Sequence, residues 1–261
     1  MIVKIDHFSL LQSIPRKKNR DIILLNNMHL PFIGKDVWTL YELSWLNKNG
    51  LPQIAIAQIE INITSENIIE SKSLKLYMNS FNQVQFDNEI HMIQVITLDL
   101  TKCVDGKVSI RLFNLNEIKN QKISDFWGHC IDDQNIEVTS YTYNPLFLLK
   151  SSKKIIHESL YSHLFKSNCP KTQQPDWASI QIIYSGTAID HAGLLLYLIS
   201  FRSYNGFHEE CVEKIFNDIE KTCQPKKLTV YARYTRRGGI DINPWRTNTV
   251  FSPCLIRMAR Q

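Results

Sequence analysis

One stretch of the chain returns 120 positions further along, and that return narrows the folds open to it. Leu74, Leu76, Tyr77, Met78, Ser80 and Phe81 align without a gap on Leu194, Leu196, Tyr197, Leu198, Ser200 and Phe201. The same offset pairs Glu89 with Glu209, Cys103 with Cys223 and Lys107 with Lys227, and it sets Val108 and Ile110 against Leu228 and Val230. Two amphipathic helices match by chance often enough. One offset held through two helices and a following strand is much rarer and marks an internal duplication. Each half is expected to run strand, strand, helix, helix, strand, strand, with the later strands of the first half partly degraded. The expected class is α+β.

Local periodicity fills in this plan. Trp38 to Trp45 roughly alternates and reads as a strand, closed by a turn at Asn47 to Gly50. In Gln53 to Ile63, Ala55, Ala57, Ile59, Ile61 and Ile63 share one uniformly apolar parity, which should face the core. Leu74, Tyr77, Met78 and Phe81 recur at helical spacing, with Ser71 or Ser73 as the cap. Asn88 to Leu100 carries a second helical pattern, and Lys107 to Phe113 alternates again. In the second half, Ile155, Ile156, Leu160 and Leu164 suggest a helix over Lys154 to Phe165. Trp177 to Ser185 reads as a strand, Ala192 to Tyr204 as a helix, and Phe207-His208-Glu209 opens another helix to about Lys221. Leu228 to Tyr234 is a strand, Asp241 to Trp245 is turn-like, and Phe251 to Gln261 has no clear period. Arg16 to Asp21 is a polar segment and Pro31 to Gly34 irregular. The expected division is one module over residues 1–115, a linker with strands over 116–150, and a second module over 151–261.

Charge and cysteine usage exclude several classes. The formal charge is +5, from 30 basic and 25 acidic residues that are spread along the chain. Only Arg16-Lys17-Lys18 and Arg236-Arg237 are compact basic groups, too small for a nucleic-acid footprint but large enough for a phosphorylated cofactor. The six cysteines at 103, 130, 169, 211, 223 and 254 include no Cys-x-x-Cys pair. No secretory signal and no membrane-length apolar run stands out, so reduced thiols in a cytoplasm are expected.

The chemistry gathers at Ser167-Asn168-Cys169-Pro170-Lys171-Thr172-Gln173-Gln174-Pro175-Asp176-Trp177. Pro170 and Pro175 fix their own φ and push Cys169 and Gln174 toward extended geometry, which describes an ordered loop. A cysteine on a stiff loop with an acid nearby can be a nucleophile served by a proton donor. Taken alone, a cysteine such as Cys169 is more often a small buried apolar residue, and Asp176 is as readily a turn acid. The two halves divide the reactive-looking residues. Glu70-Ser71-Lys72 stand in the first, and Cys169, Asp176 and His208-Glu209 in the second, as a composite site between diverged modules would require.

These segments, with Phe207-His208-Glu209-Glu210-Cys211 and Tyr231-Ala232-Arg233-Tyr234-Thr235-Arg236-Arg237-Gly238-Gly239, Asp241 and Asn243-Pro244-Trp245, resemble a known family. It is the long, two-module form of the NADPH-dependent nitrile reductases of queuosine biosynthesis, the 7-cyano-7-deazaguanine reductases. The resemblance runs from about Arg16 to the C-terminus. It implies the tunnelling fold shared with GTP cyclohydrolase I, as two tandem modules with antiparallel sheets and paired helices, and a homodimer. It implies reduction of the nitrile to a primary amine with two NADPH, without direct contact with nucleic acid or membrane. By the same resemblance Cys169 is the nucleophile that forms a covalent thioimide, Asp176 the proton donor, and His208 a substrate contact that assists proton transfer. Ile69, Glu70, Ser71, Phe207, His208 and Glu209 would hold the substrate. Ser71, Lys72, Arg237 and Gly238 would hold NADPH, with Arg236 as a helper, and no metal is implied. No Gly-x-Gly-x-x-Gly is present, so a Rossmann-type cofactor site is not indicated.

Two other classes compete. A zinc-dependent cyclohydrolase-like enzyme would need Cys169, His208 and Cys211 to converge. A silent purine-binding protein would keep Glu70 and Glu209 but need neither Cys169 nor Asp176.

Overall fold

The structure, a computed structural model, describes residues 6–23, 25, 29–253 and 256–261. Cys254 and the first five residues lie outside the described set. The chain forms two compact units. One comprises Met1–His29, Lys35–Gln121 and Arg236–Asp241, and the other Leu30–Gly34, Lys122–Thr235 and Ile242–Gln261.

The first unit contains β1 (Ser13–Pro15), α1 (Arg16–Ile22), β2 (Ile33–Leu46, of which the first two residues belong to the other unit), β3 (Pro52–Asn62), β4 (Asn67–Ile69), α2 (Ser71–Asn79), α3 (Glu89–Val104), β5 (Val108–Phe113) and the short α4 (Leu115–Ile118). β2, β3 and β5 pair antiparallel with β3 in the middle, and β1 pairs with β4. The expected parity of β3 holds: Ala55, Ala57, Ile59 and Ile61 are buried, while Ile54 is exposed. Helices α2 and α3 bury Leu74, Tyr77, Met92, Ile96 and Leu100. The polar segment at Arg16 is a helix that turns two cations inward. The Arg16 guanidinium bonds Asp36 at 2.5 Å with both side chains buried, and Arg20 donates to the Ile63 carbonyl at 2.9 Å. One of the three cations of the Arg16-Lys17-Lys18 group is therefore interior.

The second unit contains β6 (His129–Cys130), β7 (Lys150–Asn168), β8 (Pro175–Ile189), α5 (His191–Ser200), α6 (His208–Cys223), β9 (Lys227–Tyr234) and β10 (Ile240–Thr247, of which the first two residues belong to the other unit). Neighbouring strands from β7 through β10 pair antiparallel, and β6 joins β7 in parallel. Two expectations fail here. The helix expected over Lys154 to Phe165 is the strand β7, with Ile155 and Leu164 exposed. Its buried positions include Ser159, Ser162 and Ser167, and its register shifts between Ser162 and Phe165. Small buried hydroxyls on both faces and a bulge hide the period of two. The turn-like Asp241 to Trp245 lies inside the strand β10, where every residue is buried. Its polar side chains find distant partners, as in Asn243 with Gln261 at 3.1 Å and Arg246 with Glu213 at 2.9 Å. The expected linker strands at 116–150 reduce to the two residues of β6.

The order strand, strand, helix, helix, strand recurs in both units, but the 120-residue offset does not last through the second helix. Helices α2 and α5 start 120 apart, at Ser71 and His191, each capped by the preceding acid, Glu70 or Asp190. Helices α3 and α6 are both 16 residues long and start at Glu89 and His208, one position short of that offset. Tyr77 donates to Asp99 at 2.8 Å, and Tyr197 to Asp218 at 2.6 Å. Both helices end on a left-handed residue, Asp105 or Gln224. The loop between helices is thus one residue shorter in the second half. Glu89 corresponds to His208 rather than Glu209, and Cys103 has no partner in Cys223.

Candidate active site

The β7–β8 connection carries Cys169. Ser167 pairs with Asp176 and Asn168 with Pro175, which leaves a loop of 169–174. The Cys169 amide donates to the Gln174 carbonyl at 2.9 Å, and the Gln173 amide donates to the Cys169 carbonyl at 2.8 Å, with Gln173 at φ 58°. The backbone thus closes the loop, and the half-buried thiol takes no part in it. Asn168 ties the loop to the chain entering α6. Its amide donates to the Tyr204 carbonyl at 2.8 Å, and its carbonyl accepts from the Gly206 amide at 3.0 Å. Lys166 Nζ reinforces this by donating to Asn168 Oδ1 at 2.6 Å and to the Arg202 carbonyl at 2.7 Å. These bonds fasten the cysteine loop beside Phe207, His208 and Glu209.

Asp176 is buried in the first turn of sheet after the loop, and His208 Nε2 stands 3.8 Å from its Oδ1. The His208 ring meets Tyr234 edge-on, with centroids 3.9 Å apart. Phe207 is the N-cap of α6 and makes no side-chain capping bond, so the first turn relies on Glu209 and Glu210 for favourable charge. Glu209 is buried. Glu210 accepts from the Tyr204 hydroxyl at 2.5 Å, and burial pushes its carboxyl upward. Cys211 lies one turn into α6, fully buried, and burial keeps its thiol well above the ordinary range. A zinc site would need Cys169, His208 and Cys211 to converge. Among the described residues no group of three His, Cys, Asp or Glu side chains does so.

The other candidates lie in the first unit. Ile69 ends β4 and is buried. The α2 cap is Glu70, not Ser71 or Ser73: its carboxylate accepts from the Lys72 amide at 3.0 Å and the Ser73 amide at 2.7 Å. Ser73 instead donates to the Glu70 carbonyl at 2.7 Å. A longer acid spans both amides where one serine would serve one. Ser71 and Lys72 are exposed on the first turn.

Arg236, Arg237 and Gly238 form an exposed hairpin tip. Arg237 and Ile240 exchange both backbone bonds around Gly238 (φ +59°) and Gly239 (φ +75°), a two-residue turn that needs left-handed backbone at both positions. Gly239 also packs on Glu42, leaving no room for a Cβ, whereas nothing lies within 4 Å of a Cβ at Gly238. The Arg236 guanidinium stacks on Tyr41 at 4.5 Å, and the Tyr41 hydroxyl donates to Asp241 at 2.6 Å. Glu42 also pairs with Lys75, one turn beyond Ser71 on α2. Strand β2 therefore holds the Ser71-Lys72 helix end and the Arg237-Gly238 turn together. Tyr41, Glu42 and Tyr234 escaped the sequence reading. Only Tyr234 had a signal, since it lies within the Tyr-Ala-Arg-Tyr-Thr-Arg-Arg-Gly-Gly run.

Residues 5–112 match the family described as nitrile reductase, 7-cyano-7-deazaguanine-reductase N-term, and residues 175–251 match the one described as QueF-like protein. The NADPH-dependent 7-cyano-7-deazaguanine reductase of Buchnera aphidicola subsp. Schizaphis graminum (strain Sg) is 66% identical over 262 residues, covering 100% of both chains. A crystal structure of the archaeosine synthase QueF-Like in the apo form covers 39% of this chain and 100% of its own at 14% identity and a TM-score of 0.33, too slight a likeness to inform the fold. No helix among the described residues is long and apolar enough to cross a membrane. With the N-terminal and C-terminal family segments both matched and a full-length relative at this identity, the chain belongs to the 7-cyano-7-deazaguanine reductase family.

Proposed function

We propose that the chain reduces the nitrile of 7-cyano-7-deazaguanine to the amine of 7-aminomethyl-7-deazaguanine, with NADPH, in the supply of the queuosine base for tRNA. The observation that carries this reading is the hydrogen-bonded fastening of the Cys169 loop beside the Asp176–His208 pair. The Cys169 thiolate forms a bond to the nitrile carbon, and the nitrogen takes the proton of Asp176. The C≡N triple bond becomes the C=N of a thioimide, a better hydride acceptor than the nitrile. A carboxylic acid has a reference pKa of ~3.9, so a neutral donor near pH 7 requires a site that disfavours charge, and Asp176 is buried. His208, 3.8 Å from Asp176, exchanges protons with it as charge develops. Glu209 accepts from the amino group and ring N–H of the base and Phe207 contacts the ring, while Glu70, Ile69 and Ser71 are the substrate residues assigned to the other module.

Lys72, Arg237 and the open backbone at Gly238 suit the phosphates of NADPH, with Ser71 and Arg236 assisting. That cofactor supplies the hydride when bound. Reduction of a nitrile to an amine takes two hydrides, so the site must exclude water while the imine stage persists. The reading includes a tunnelling fold in each of two modules, residues 1–115 and 151–261 joined by 116–150, and a cytoplasmic homodimer.

Incubation with 7-cyano-7-deazaguanine without NADPH tests the reading by intact-protein mass. A gain of one whole substrate is expected, together with new near-ultraviolet absorbance. Neither signal, with no substrate-dependent NADPH oxidation, would refute it. Lys72→Ala and Arg237→Ala should each raise the Michaelis constant for NADPH about tenfold with kcat nearly kept, as loss of a charged contact made equally in ground and transition states predicts. An unchanged constant in steady-state assays would remove them from the cofactor site.

A further inference from the structure

Tyr234 is fully buried, yet its hydroxyl makes no hydrogen bond of ordinary geometry. The same holds for the Ser167 hydroxyl. The two hydroxyls face each other and the Cys211 thiol, but none of these approaches has ordinary hydrogen-bond geometry. A buried hydroxyl without a partner is uncommon and calls for an explanation. Phenylalanine would fill the same space without the penalty.

The sheet places this phenol. Tyr234 of β9 sits directly across from Ala178 of β8. Asp176 lies two residues before Ala178 and so shares its face, which makes Asp176 and Tyr234 diagonal neighbours within reach of a long aromatic side chain. Ser167 of β7 pairs directly with Asp176 on that face. Helix α6 packs over β8 and β9 and brings His208, whose ring meets the Tyr234 ring edge-on at 3.9 Å. Burial, reinforced by Cys211, Asp176 and Glu209 nearby and only partly offset by the Ser167 hydroxyl, holds the phenol well above its ordinary range. It therefore stays protonated, as a donor.

We infer that Tyr234 is a positioning residue for the proton-donating step, its hydroxyl pairing with the Asp176 carboxylate that remains once Asp176 has given up its proton, while its ring holds His208 toward the same carboxyl. The inference rests on the proposed role of Asp176. It accounts for the missing partner, because the Asp176 carboxyl becomes a strong acceptor only when it has given up its proton. The protons balance: Asp176 loses one to the substrate nitrogen, and Tyr234 shares its own without transferring it. A hydrogen bond to the charged product makes Asp176 a stronger acid than burial alone would leave it.

The test is Tyr234→Phe in the full chain, with the rate of adduct formation followed by near-ultraviolet absorbance across pH. The expected result is adduct formation about tenfold slower at its optimum, the size of a lost bond to a charged group. Its descending limb should move about one pH unit upward, because Asp176 becomes a weaker acid. A merely structural role would leave that limb in place. The thermal midpoint should equal or exceed that of the unaltered protein. A rate–pH profile superposable on the unaltered one overturns the inference. So does a Tyr234→Phe protein that fails to fold, since the hydroxyl would then have a structural partner. If the unaltered protein forms no adduct, Asp176 has no such step, and the underlying reading fails along with the inference.

Discussion

Cys169→Ala is expected to abolish both the mass gain with 7-cyano-7-deazaguanine and the substrate-dependent oxidation of NADPH, by about four orders of magnitude or more. The size follows from chemistry. With no sulfur at position 169 there is no covalent attachment, and hydride would have to reach an unactivated nitrile. The structure also predicts what the substitution spares. The loop is closed by the Cys169 amide and carbonyl and anchored through Asn168, none of which involves the thiol. Alanine keeps all of these bonds, so the thermal midpoint should move by no more than about 2 °C. Activity lost at unchanged stability is the combination to look for. Intact-mass measurement and a thermal scan on one preparation decide it. Turnover within tenfold of the unaltered protein would rule out the covalent route, and loss of activity through unfolding would mean that the thiol itself holds the loop.

That separation between backbone and side chain also explains what could be read beforehand. The Cys169 loop was legible because two prolines restrict the chain locally, whatever surrounds it. The inner parity of β3 was legible because Ala55, Ala57, Ile59 and Ile61 carry the period in their own apolar character. Strand β7 was not, since Ser159, Ser162 and Ser167 occupy buried positions that only a cross-strand view justifies. The repeat was legible in α2 and α5, where caps and core agree. It misled in α3 and α6, because a shared glutamate at Glu89 and Glu209 outweighed a one-residue difference in loop length that only the caps reveal. Within the candidate site, Asp176 and His208 were proposed from resemblance and stand 3.8 Å apart. Tyr234 was passed over, because a tyrosine in a strand carries no mark of an unpaired hydroxyl.

Asp241 to Trp245 has the composition of a turn but lies in β10, and this polar strand yields the largest stability effect. Arg246 is fully buried on β10. Its Nε and one terminal nitrogen donate to Glu213 Oε1 at 3.1 and 2.9 Å, and the other donates to the Trp245 carbonyl at 2.9 Å. Glu213 is buried on α6, one and a half turns from His208, so this pair holds together the helix that opens at the site and the strand beyond β9. Replacing Arg246 by alanine strands a carboxylate in the interior, and breaking such a pair typically costs about 3–5 kcal/mol. A chain of this size should then melt roughly 10 °C lower. The urea midpoint of the Arg246→Ala protein should fall accordingly, with NADPH oxidation lost as α6 loosens. The double variant Arg246→Met with Glu213→Leu separates charge from packing. Removing both partners leaves nothing unpaired, so much of the stability should return even though the sheet has lost its ion pair. If the single variant melted where the unaltered protein does, the Glu213–Arg246 contact would be incidental. If the double variant were as weak as the single one, the loss would come from the shape of the Arg246 side chain, which also lies over Phe32 at 5.8 Å, and not from the stranded charge.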